Sequence, residues 1–502
     1  MTHLLGYDIG SSSVKATLLE AGSGRAVVSA TSPAAEMPIL AVRPGWAEQA
    51  PELWWKHVKA ATAEIRARKA RELREVKAIG ISYQMHGLVI VDKNGRALRP
   101  SIIWCDSRAV EIGNRAWKEI GKRKCLSRLL NSPGNFTAAK LKWVKENEPR
   151  VYAKIHKVML PGDYVAMRMS GEMLTTVSGL SEGIMWDYRK AALADLVLAH
   201  FGIDPGLIAE ARPAFSFQGE LTAAAAKELG LPRGVQIAYR SGDQPNNAFS
   251  LRVLEPGEIA TTAGTSAVVY GVGDQPNHDP LSRVNTFVHV NHSARAPRYG
   301  TLLCVNGSGI LYRWLRHNFA AAGAGGMSYA AMDRAAGRVP VGSGGLVVLP
   351  YGNGAERTLE NRDLGASIHH LNFNIHSRDH LLRAAQEGVV FALIYGVEII
   401  RGLGIKTAAV RAGHDNMFRS PVFGRTFATV ADARLELYNT DGSQGAARGA
   451  GIGAGIYRGV REAFSGLQAV QTIDPDTRNK RAYIEAYRLW KQTLEKQLKE
   501  RR

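Results

Sequence analysis

Apolar and polar positions divide the chain into two halves that begin alike. The first half begins with HLLGYDIGSSSVKATLLEAGSGRAVVSA, in which an apolar run meets a Gly/Ser-rich turn and two further apolar runs follow. The second half begins with GEIATTAGTSAVVYGVG, where two apolar runs again flank a turn of small, hydroxyl-bearing residues. Short apolar runs bounded by turn residues are typical of β-hairpins. The sequence therefore predicts a hairpin at the start of each half.

Strand-like and helix-like segments alternate between the two hairpins. Apolar runs such as KAIGIS, GLVIVD and SIIWCD are separated by longer stretches such as APELWWKHVKAATAEIRARKARE and FTAAKLKWVKENEP. This alternation predicts an α/β fold. The chain has 502 residues, more than the roughly 250–300 at which a single core stops growing. We therefore expect two domains, residues 1–244 and 245–502.

Three further segments have a readable structure. The end of the chain carries apolar residues at helical spacing, which predicts an amphipathic helix that packs on the protein: Tyr483, Tyr487, Trp490, Leu494 and Leu498. The run AAAGAGGM at 320–327 predicts a surface loop. The run GAARGAGIGAGIYRG at 445–459 resembles a dinucleotide fingerprint, but no strand with the required turn precedes it. We expect a closely packed helix of small residues there.

Charge and composition narrow the class of protein. The net charge is +19, but the basic residues are dispersed rather than clustered with aromatics, which argues against a nucleic-acid-binding protein. A general positive field instead suits an anionic substrate such as a nucleotide. The three cysteines are widely spaced, and no apolar run reaches the roughly 18–20 residues that cross a membrane. The first residues lack a secretory leader. We expect a cytoplasmic enzyme without membrane contact.

The two predicted turns have the composition of phosphate-binding sites. Backbone N–H groups at a tight Gly/Ser/Thr turn form a concave anion site, and hydroxyl groups add donors. In the first turn these donors are Ser11, Ser12 and Ser13, with Lys15 close enough to reach a transferring phosphate. Asp8 ends the first apolar run and is a candidate ligand for Mg²⁺, which often takes one or two carboxylates with waters and phosphates. Ordinary hairpins with Asp8 as a turn former are the alternative interpretation.

A lone acid, Asp243, lies in RSGDQPNNAF just ahead of the second hairpin. Gly, Asp, Asn and Pro favour turns for local backbone reasons, so a surface turn is one interpretation. A functional carboxylate at the domain boundary is the other. Local composition alone leaves both interpretations open.

Motifs along nearly the whole chain resemble those of the FGGY family of carbohydrate kinases. They follow one another in the family's order: DIGSSSVKA, GWAEQAPELWW, SYQMHG, IIWCDSRA, SGDQ, TTAGTS, GGLVVLPYGNGAERT and RAAQEGVVFAL. The segment Met85-His86-Gly87 is similar to the sugar-binding segment of the xylulokinase branch. The resemblance implies two duplicated ribonuclease-H-like domains, as in actin and hexokinase, with ATP and Mg²⁺ in the cleft between them.

The same resemblance implies roles for individual residues. Asp243 would be the catalytic base that takes the proton from the attacking sugar hydroxyl, and Gln244 would bind a sugar hydroxyl. His86 and Met85 would contact the sugar. Asp106 and Arg108 would either line the sugar pocket or form an ion pair at a strand end. The residues implied on the nucleotide side are Thr265, Ser308, Gly309, Gly413, His414 and Asn416.

Two departures from the family pattern affect these expectations. Arg240 replaces a glycine ahead of the catalytic segment, which predicts a narrower approach to the phosphate. His414 and Asp415 interrupt the glycine-rich adenine segment, which leaves the nucleotide preference open. The resemblance implies phosphorylation of a ketopentose, D-xylulose first. A different ketose or polyol, or an inactive sugar- or nucleotide-binding regulator, are alternatives, and the sequence leaves open whether the protein is a monomer or a homodimer.

Overall fold

Two mixed β-sheets form the framework of the protein. The structure, a computed structural model, describes residues 1–319 and 326–500. Residues 320–325 of the predicted loop lie outside the described residues. The first sheet has five strands in the spatial order Gln236–Gly242, Val76–Tyr83, His3–Ile9, Val14–Glu20 and Ala26–Ser32. The second has seven, in the order Asn285–Val288, Tyr299–Val305, Ala267–Gly273, Glu258–Ala263, Ala409–Gly413, Leu435–Tyr438 and Ala469–Ile473.

The two sheets repeat one topology. In each sheet, the first strand of the hairpin is central. On one side of it lie the second hairpin strand and a further antiparallel strand, and on the other side lie two parallel strands. The second sheet adds an antiparallel strand at each edge. Both predicted hairpins are therefore confirmed, and so is the duplicated α/β architecture.

Helices cover the sheets and connect the strands. In chain order they are α1 Pro51–Leu73, α2 Val110–Ile120, α3 Lys122–Leu129, α4 Thr137–Asn147, α5 Pro149–Tyr152, α6 Pro161–Ser170, α7 Val177–Glu182, α8 Asp195–Phe201, α9 Ala223–Leu229, α10 Asp243–Ser250, α11 Gly309–Asn318, α12 Tyr329–Gly337, α13 Arg378–Gly402, α14 Pro421–Ala431, α15 Gly442–Gly453, α16 Val460–Ala463 and α17 Lys480–Glu500. Within the described ranges, no helix is both long and apolar enough to cross a membrane.

Shorter elements complete the secondary structure. Five two-stranded pairs are Glu48–Gln49 with Ser101–Ile102, Val89–Val91 with Lys157–Met159, Leu174–Thr176 with Glu210–Arg212, Trp186–Asp187 with Ala192–Leu193, and Val347–Tyr351 with Gly365–His369. The 3₁₀ turns are Pro205–Leu207, Ser343–Gly345, Arg357–Leu359 and Asn416–Arg419. The three cysteines are free thiols, as their spacing predicts.

The small-residue run predicted near residue 445 is helix α15, and it packs closely on the first sheet. A Cβ atom added at Gly6 or Gly80 would overlap the backbone oxygen of Ser443 or Ala446, so the sheet and the helix approach backbone to backbone. Helix α15 follows a strand of the second sheet, yet it covers the first sheet and contacts α10. The Asn246 side chain donates to the Gly442 carbonyl at 2.9 Å. These two helices therefore join the two sheets.

The predicted C-terminal helix is α17. Its apolar stripe is buried against the core of the second sheet, with Tyr483, Tyr487, Trp490 and Leu494 inside. The indole of Trp490 also donates to the backbone oxygen of Val348 at 3.0 Å. The prediction that the tail packs on the protein is confirmed.

Candidate active site

Three parallel strands of the first sheet end at one edge and place candidate residues there. Asp8 lies one residue before the end of His3–Ile9, Met85 and His86 follow Val76–Tyr83, and Asp243 follows Gln236–Gly242. In open α/β sheets, ligands bind at the carboxyl ends of the parallel strands. The fold therefore brings together residues that are up to 235 positions apart in the chain.

The second sheet places its candidates in the same way. The turn containing Thr265 follows Glu258–Ala263, His414 and Asn416 follow Ala409–Gly413, and Asp441 follows Leu435–Tyr438. Because α10 and α15 join the two sheets, these carboxyl ends lie on either side of one cleft.

Asp243 begins helix α10 and is half-buried. The pKa of its carboxyl group is raised to about 7, mainly by burial and also by the negative charge of Asp8, while hydrogen bonds from Gln244 act in the opposite direction. An acid with a pKa near the working pH is well matched to proton transfer. The local surface-turn interpretation does not describe this residue, because it opens a helix rather than a turn.

Asp8 is held tightly between two parts of the chain. The hydroxyl of Ser82, on the neighbouring parallel strand, donates to Asp8 Oδ1 at 2.8 Å. Gly442 lies against the other carboxylate oxygen so closely that an added Cβ would overlap it, so only glycine fits there. Burial raises the pKa of Asp8, and the Asp441 charge adds to this shift. Asp8 and Asp243 thus form a pair of partly buried carboxyl groups that would be stabilised by a cation.

Lys15 reaches across the cleft to an acid that the sequence reasoning missed. Its Nζ lies 2.7 Å from Oδ2 of Asp441. Asp441 also caps α15, because its Oδ1 accepts from the backbone of Gln444 and the hydroxyl of Ser443. Burial alone would raise the pKa of Asp441, but Lys15 and these hydrogen bonds lower it overall. An Asp directly before a helical run is an N-cap signal, but its pairing with Lys15 follows only from the fold.

The two hydroxyl-rich turns face the cleft and are braced from behind. In the first turn, the carbonyl groups of Ser11 and Ser12 accept from the Gln49 side chain and the Met37 backbone, at 2.7 and 2.8 Å, and the side chain of Ser12 is exposed. In the second turn Thr265 is exposed, and its carbonyl accepts from the Ser308 hydroxyl at 3.2 Å. Ser308 is fully buried and therefore anchors this turn.

The sugar-side candidate His86 has a defined orientation. Its Nδ1 lies 3.0 Å from the backbone oxygen of Glu182, and because a carbonyl only accepts, Nδ1 must carry the proton. Burial lowers the pKa of His86 to about 3, so the ring is neutral. Nε2 is therefore the acceptor that a ligand would find. The ring also contacts the Phe136 ring edge to face, with centroids 4.8 Å apart.

Asp106 and Arg108 form the ion pair that was one of their two predicted arrangements. Arg108 Nη2 lies 2.7 Å from Asp106 Oδ2, and the backbone N–H of Ala47 donates to the same oxygen at 2.6 Å. The guanidinium also lies over the Trp46 ring, 3.8 Å from its centroid. Both side chains are buried, so they brace the loop that carries Trp104. Trp104 itself is exposed, and its Nε1 lies 3.5 Å from the Ser11 hydroxyl.

Arg240 does not narrow the phosphate approach, so that expectation is wrong. Its side chain is 1% exposed and lies with its Nε 3.1 Å from a carboxylate oxygen of Asp163. One terminal nitrogen donates to the backbone oxygen of Leu174 at 3.1 Å. The buried acid Asp163 thus holds the Arg240 side chain inside the first domain.

A cavity of about 600 Å³ extends from the second turn between α11, α12 and α13. Three of the predicted nucleotide contacts line it, namely Thr265, Gly309 and Asn416, whereas Ser308, Gly413 and His414 are not among its lining residues. Sequence reasoning missed several lining residues, including Tyr312, Tyr329, Asp333 and Gln386. They come from three helices that are distant in sequence, and although Gln386 lies in the motif RAAQEGVVFAL, that motif did not assign it to the nucleotide.

The site therefore combines two hydroxyl-rich turns, a carboxyl group whose pKa is raised to about 7 and a cavity of about 600 Å³ beside the second turn. Residues 3–250 match the FGGY family of carbohydrate kinases, N-terminal domain. Xylulose kinase from Escherichia coli strain K12 is 30% identical over 450 residues, which cover 89% of this chain and 88% of that protein.

Solved structures agree with the sequence comparison. The crystal structure of xylulose kinase from Rhodospirillum rubrum has a TM-score of 0.88 at 26% identity, with 98% of each chain covered. Glycerol kinase from Plasmodium falciparum, at 18% identity, shares the fold with a TM-score of 0.88, and 99% of this chain and 98% of that chain are covered. The duplicated architecture of the two sheets is thus that of these sugar kinases, and the chain belongs to the FGGY family of carbohydrate kinases.

Proposed function

We propose that the protein transfers the γ-phosphate of ATP to a hydroxyl group of D-xylulose, giving D-xylulose 5-phosphate and ADP. The observation that carries this proposal is Asp243, a half-buried acid with a pKa of about 7. It lies at the carboxyl edge of the first sheet, on the cleft that both hydroxyl-rich turns face. The proposal of D-xylulose rests on the xylulose kinases among the relatives and on the segment Met85-His86-Gly87.

Asp243 acts in this scheme as the general base. It accepts the proton of the attacking hydroxyl while the sugar oxygen bonds to the γ-phosphorus and the bond to the β–γ bridging oxygen breaks. An alcohol is a weak nucleophile, and a positioned base typically contributes about 10²–10⁴ to the rate. Gln244, the next residue of α10, lies beside Asp243 and would bind a neighbouring sugar hydroxyl.

The two turns hold the phosphates on opposite sides of the cleft. Backbone N–H groups near Ser11, Ser12 and Ser13 would bind the transferring group from one side, and those near Thr265 from the other. Lys15 is already paired with Asp441. It would therefore act as a charge held in place beside the phosphates rather than as a freely moving side chain.

Asp8 fits the requirements of a Mg²⁺ site. Within residues 1–319 and 326–500, no three His, Cys, Asp or Glu side chains converge to hold a metal by themselves. This is expected where nucleotide phosphates and waters complete the coordination. The raised pKa values of Asp8 and Asp243 support this proposal, because an added positive charge would stabilise their ionised forms. Bound Mg²⁺ would neutralise charge on the phosphates, with Asp8 as its protein ligand.

On the sugar side, His86 would accept a hydroxyl hydrogen bond at Nε2, and Met85 would contact the carbon skeleton. Trp104 is exposed beside Ser11, which places a large aromatic surface between the sugar segment and the first turn. Asp106 and Arg108 would support this wall from behind. A cytoplasmic location and a homodimer remain predictions.

The test is a substrate panel with purified protein, ATP and Mg²⁺ in an assay that couples ADP release to NADH oxidation. We expect a higher kcat/KM for D-xylulose than for D-ribulose, L-ribulose or glycerol. Omission of Mg²⁺ should abolish turnover.

Each other outcome identifies an alternative. Preference for another ketose or polyol would change the substrate and keep the chemistry. Binding of sugar and ATP without turnover of any sugar would instead indicate a regulator that kept the fold and lost catalysis.

A further inference from the structure

Lys140 is a fully buried lysine that none of the roles above uses. It lies on α4 with 0% exposure. Within the described residues its Nζ forms no salt bridge, and it donates to two backbone oxygens, those of His86 and Ile103, both at 2.9 Å. A lysine without a carboxylate partner is rare in a protein interior.

The two carbonyl groups belong to the two segments that build the sugar side of the cleft. His86 follows the strand Val76–Tyr83, and Ile103 precedes Trp104 and the Asp106–Arg108 pair. The segments are also paired directly, because the backbone groups of Leu88 and Ile102 bond to each other in both directions, at 2.9 and 3.3 Å. Beyond this pair, Lys140 adds a side-chain bond to a carbonyl group of each segment, at His86 and Ile103.

His86 needs such support because its backbone is strained. Its φ is +63°, in the left-handed region that costs a non-glycine residue of order 1–3 kcal/mol unless the surroundings fix it. Two hydrogen bonds hold His86 in this backbone conformation. Lys140 binds its carbonyl group, and the Glu182 carbonyl accepts from its ring. The direction of Nε2 depends on both.

We propose that Lys140 is a positioning residue for sugar binding, which holds His86 and the Ile103–Trp104 segment in the geometry that accepts the ketose. This inference rests on the proposed function, since it assigns His86 to the sugar. Lys140 acts through the two backbone carbonyls and contacts neither the reacting hydroxyl nor the phosphates.

A purely stabilising role predicts a different behaviour. Burial lowers the pKa of Lys140 to about 7, which means that the fold makes the charged amine costly rather than favourable. Lys140→Met removes this cost but also leaves the buried carbonyl groups of His86 and Ile103 without their Lys140 donor, which is destabilising. A purely stabilising role therefore predicts a lower melting temperature with unchanged D-xylulose affinity in the folded variant, whereas a positioning role predicts weaker D-xylulose binding even in the folded variant.

The experiment compares wild type, Lys140→Met and the control Lys142→Met, which removes a partly exposed lysine from the same helix. For Lys140→Met we expect the KM and calorimetric Kd for D-xylulose to rise about tenfold to a hundredfold, the loss expected for a charge-assisted hydrogen bond. The Kd for a non-hydrolysable ATP analogue should change less than twofold, measured below the melting temperature of the variant, which we expect to be lower than that of wild type. Lys142→Met should match wild type in all three.

Every other result counts against the inference. Unchanged D-xylulose affinity in a folded Lys140→Met protein would overturn it. If Lys140→Met does not fold, Lys140→Gln, which keeps N–H donors on a shorter side chain, takes its place with the same expectation. Loss of ATP-analogue binding and of the thermal transition in both variants would make Lys140 a general stability residue and also overturn the inference. Failure of wild type to phosphorylate any sugar would instead refute the proposed function.

Discussion

At the scale of single residues, substitution of Asp243 tests the proposed general-base mechanism. Asp243→Asn keeps the size and most hydrogen bonds of the side chain but removes its ability to accept a proton. We expect kcat to fall by about 10²–10⁴, while the calorimetric Kd for D-xylulose and the melting temperature stay close to wild type. Asp195→Asn, which changes an exposed acid, is the matched control and should keep full activity. Near wild-type kcat in Asp243→Asn would remove the residue from the mechanism.

The pH dependence of the reaction follows from the same carboxyl group. Its pKa is raised to about 7 in the folded protein, and only the ionised form can act as a base. The kcat/KM for the sugar should therefore fall about tenfold per unit well below pH 7. Above pH 7, loss of the Lys140 charge, whose pKa is also about 7, should weaken sugar binding and lower kcat/KM again. His86, whose pKa is about 3, adds no further transition in this range. A profile that is flat from pH 5.5 to 8.5, with intact fluorescence throughout, would contradict this assignment.

Sequence patterns predicted where several candidate residues lie in the fold. Asp8 lies at the end of a strand, and Asp243 and the serines of the first turn follow strands, at ends that can be read from the apolar pattern. Their roles in catalysis and binding stay predictions. Asp441, Trp104 and Asp333 were not identified, because their importance comes from partners more than 50 residues away. The expectation for Arg240 was wrong for a related reason, since its buried partner Asp163 lies in helix α6, far from Arg240 in the sequence.

At the scale of elements, α17 shows how much an apolar stripe can predict. The spacing of its apolar residues correctly predicted both the helix and its buried face. Trp490 is the largest buried side chain of this helix. The target of docking was not predictable, because the core it joins is assembled from strands and helices throughout the second half. For the same reason the cavity beside the second turn, which is lined by residues from three separate helices, could not be predicted from the sequence.

Truncation of Trp490 should test the docking of α17. Trp490→Ala removes a buried ring and the donor to Val348, which for a core aromatic typically costs about 3–5 kcal/mol. We expect the melting temperature to drop by several degrees, while kcat at low temperature remains near wild type because α17 is remote from Asp243. Trp314→Ala, which changes an exposed tryptophan, is the control. Equal melting temperatures for wild type and Trp490→Ala would show that α17 does not stabilise the second domain.

At the scale of the whole molecule, the duplicated fold places the two hydroxyl-rich turns on separate sheets. The sheets are joined by α10 and α15 and are bridged elsewhere by polar contacts, such as the reciprocal hydrogen bonds between the Asn131 side chain and the Thr286 backbone, at 2.8 and 3.1 Å. The Lys15–Asp441 pair adds a charged contact across the cleft itself. Apolar side chains of the two halves also share one buried cluster, which includes Phe136 and Leu180 from the first half and Tyr270 and Phe287 from the second. Any rotation of the halves about the joining helices must therefore also shift the packing of this cluster.

Ligand binding should close this cleft. Phosphates held by turns from both halves must first be reached by the sugar and then be shielded, since water would otherwise compete for the γ-phosphate. Small-angle scattering should therefore give a smaller radius of gyration with D-xylulose plus a non-hydrolysable ATP analogue than without ligands, and a smaller change with either ligand alone. Asp243→Asn should contract as wild type does, because it keeps the binding groups and loses only the base. A radius of gyration that does not change when both ligands are bound, as confirmed by calorimetry, would mean that the two halves do not move and that the γ-phosphate is protected by local side chains instead.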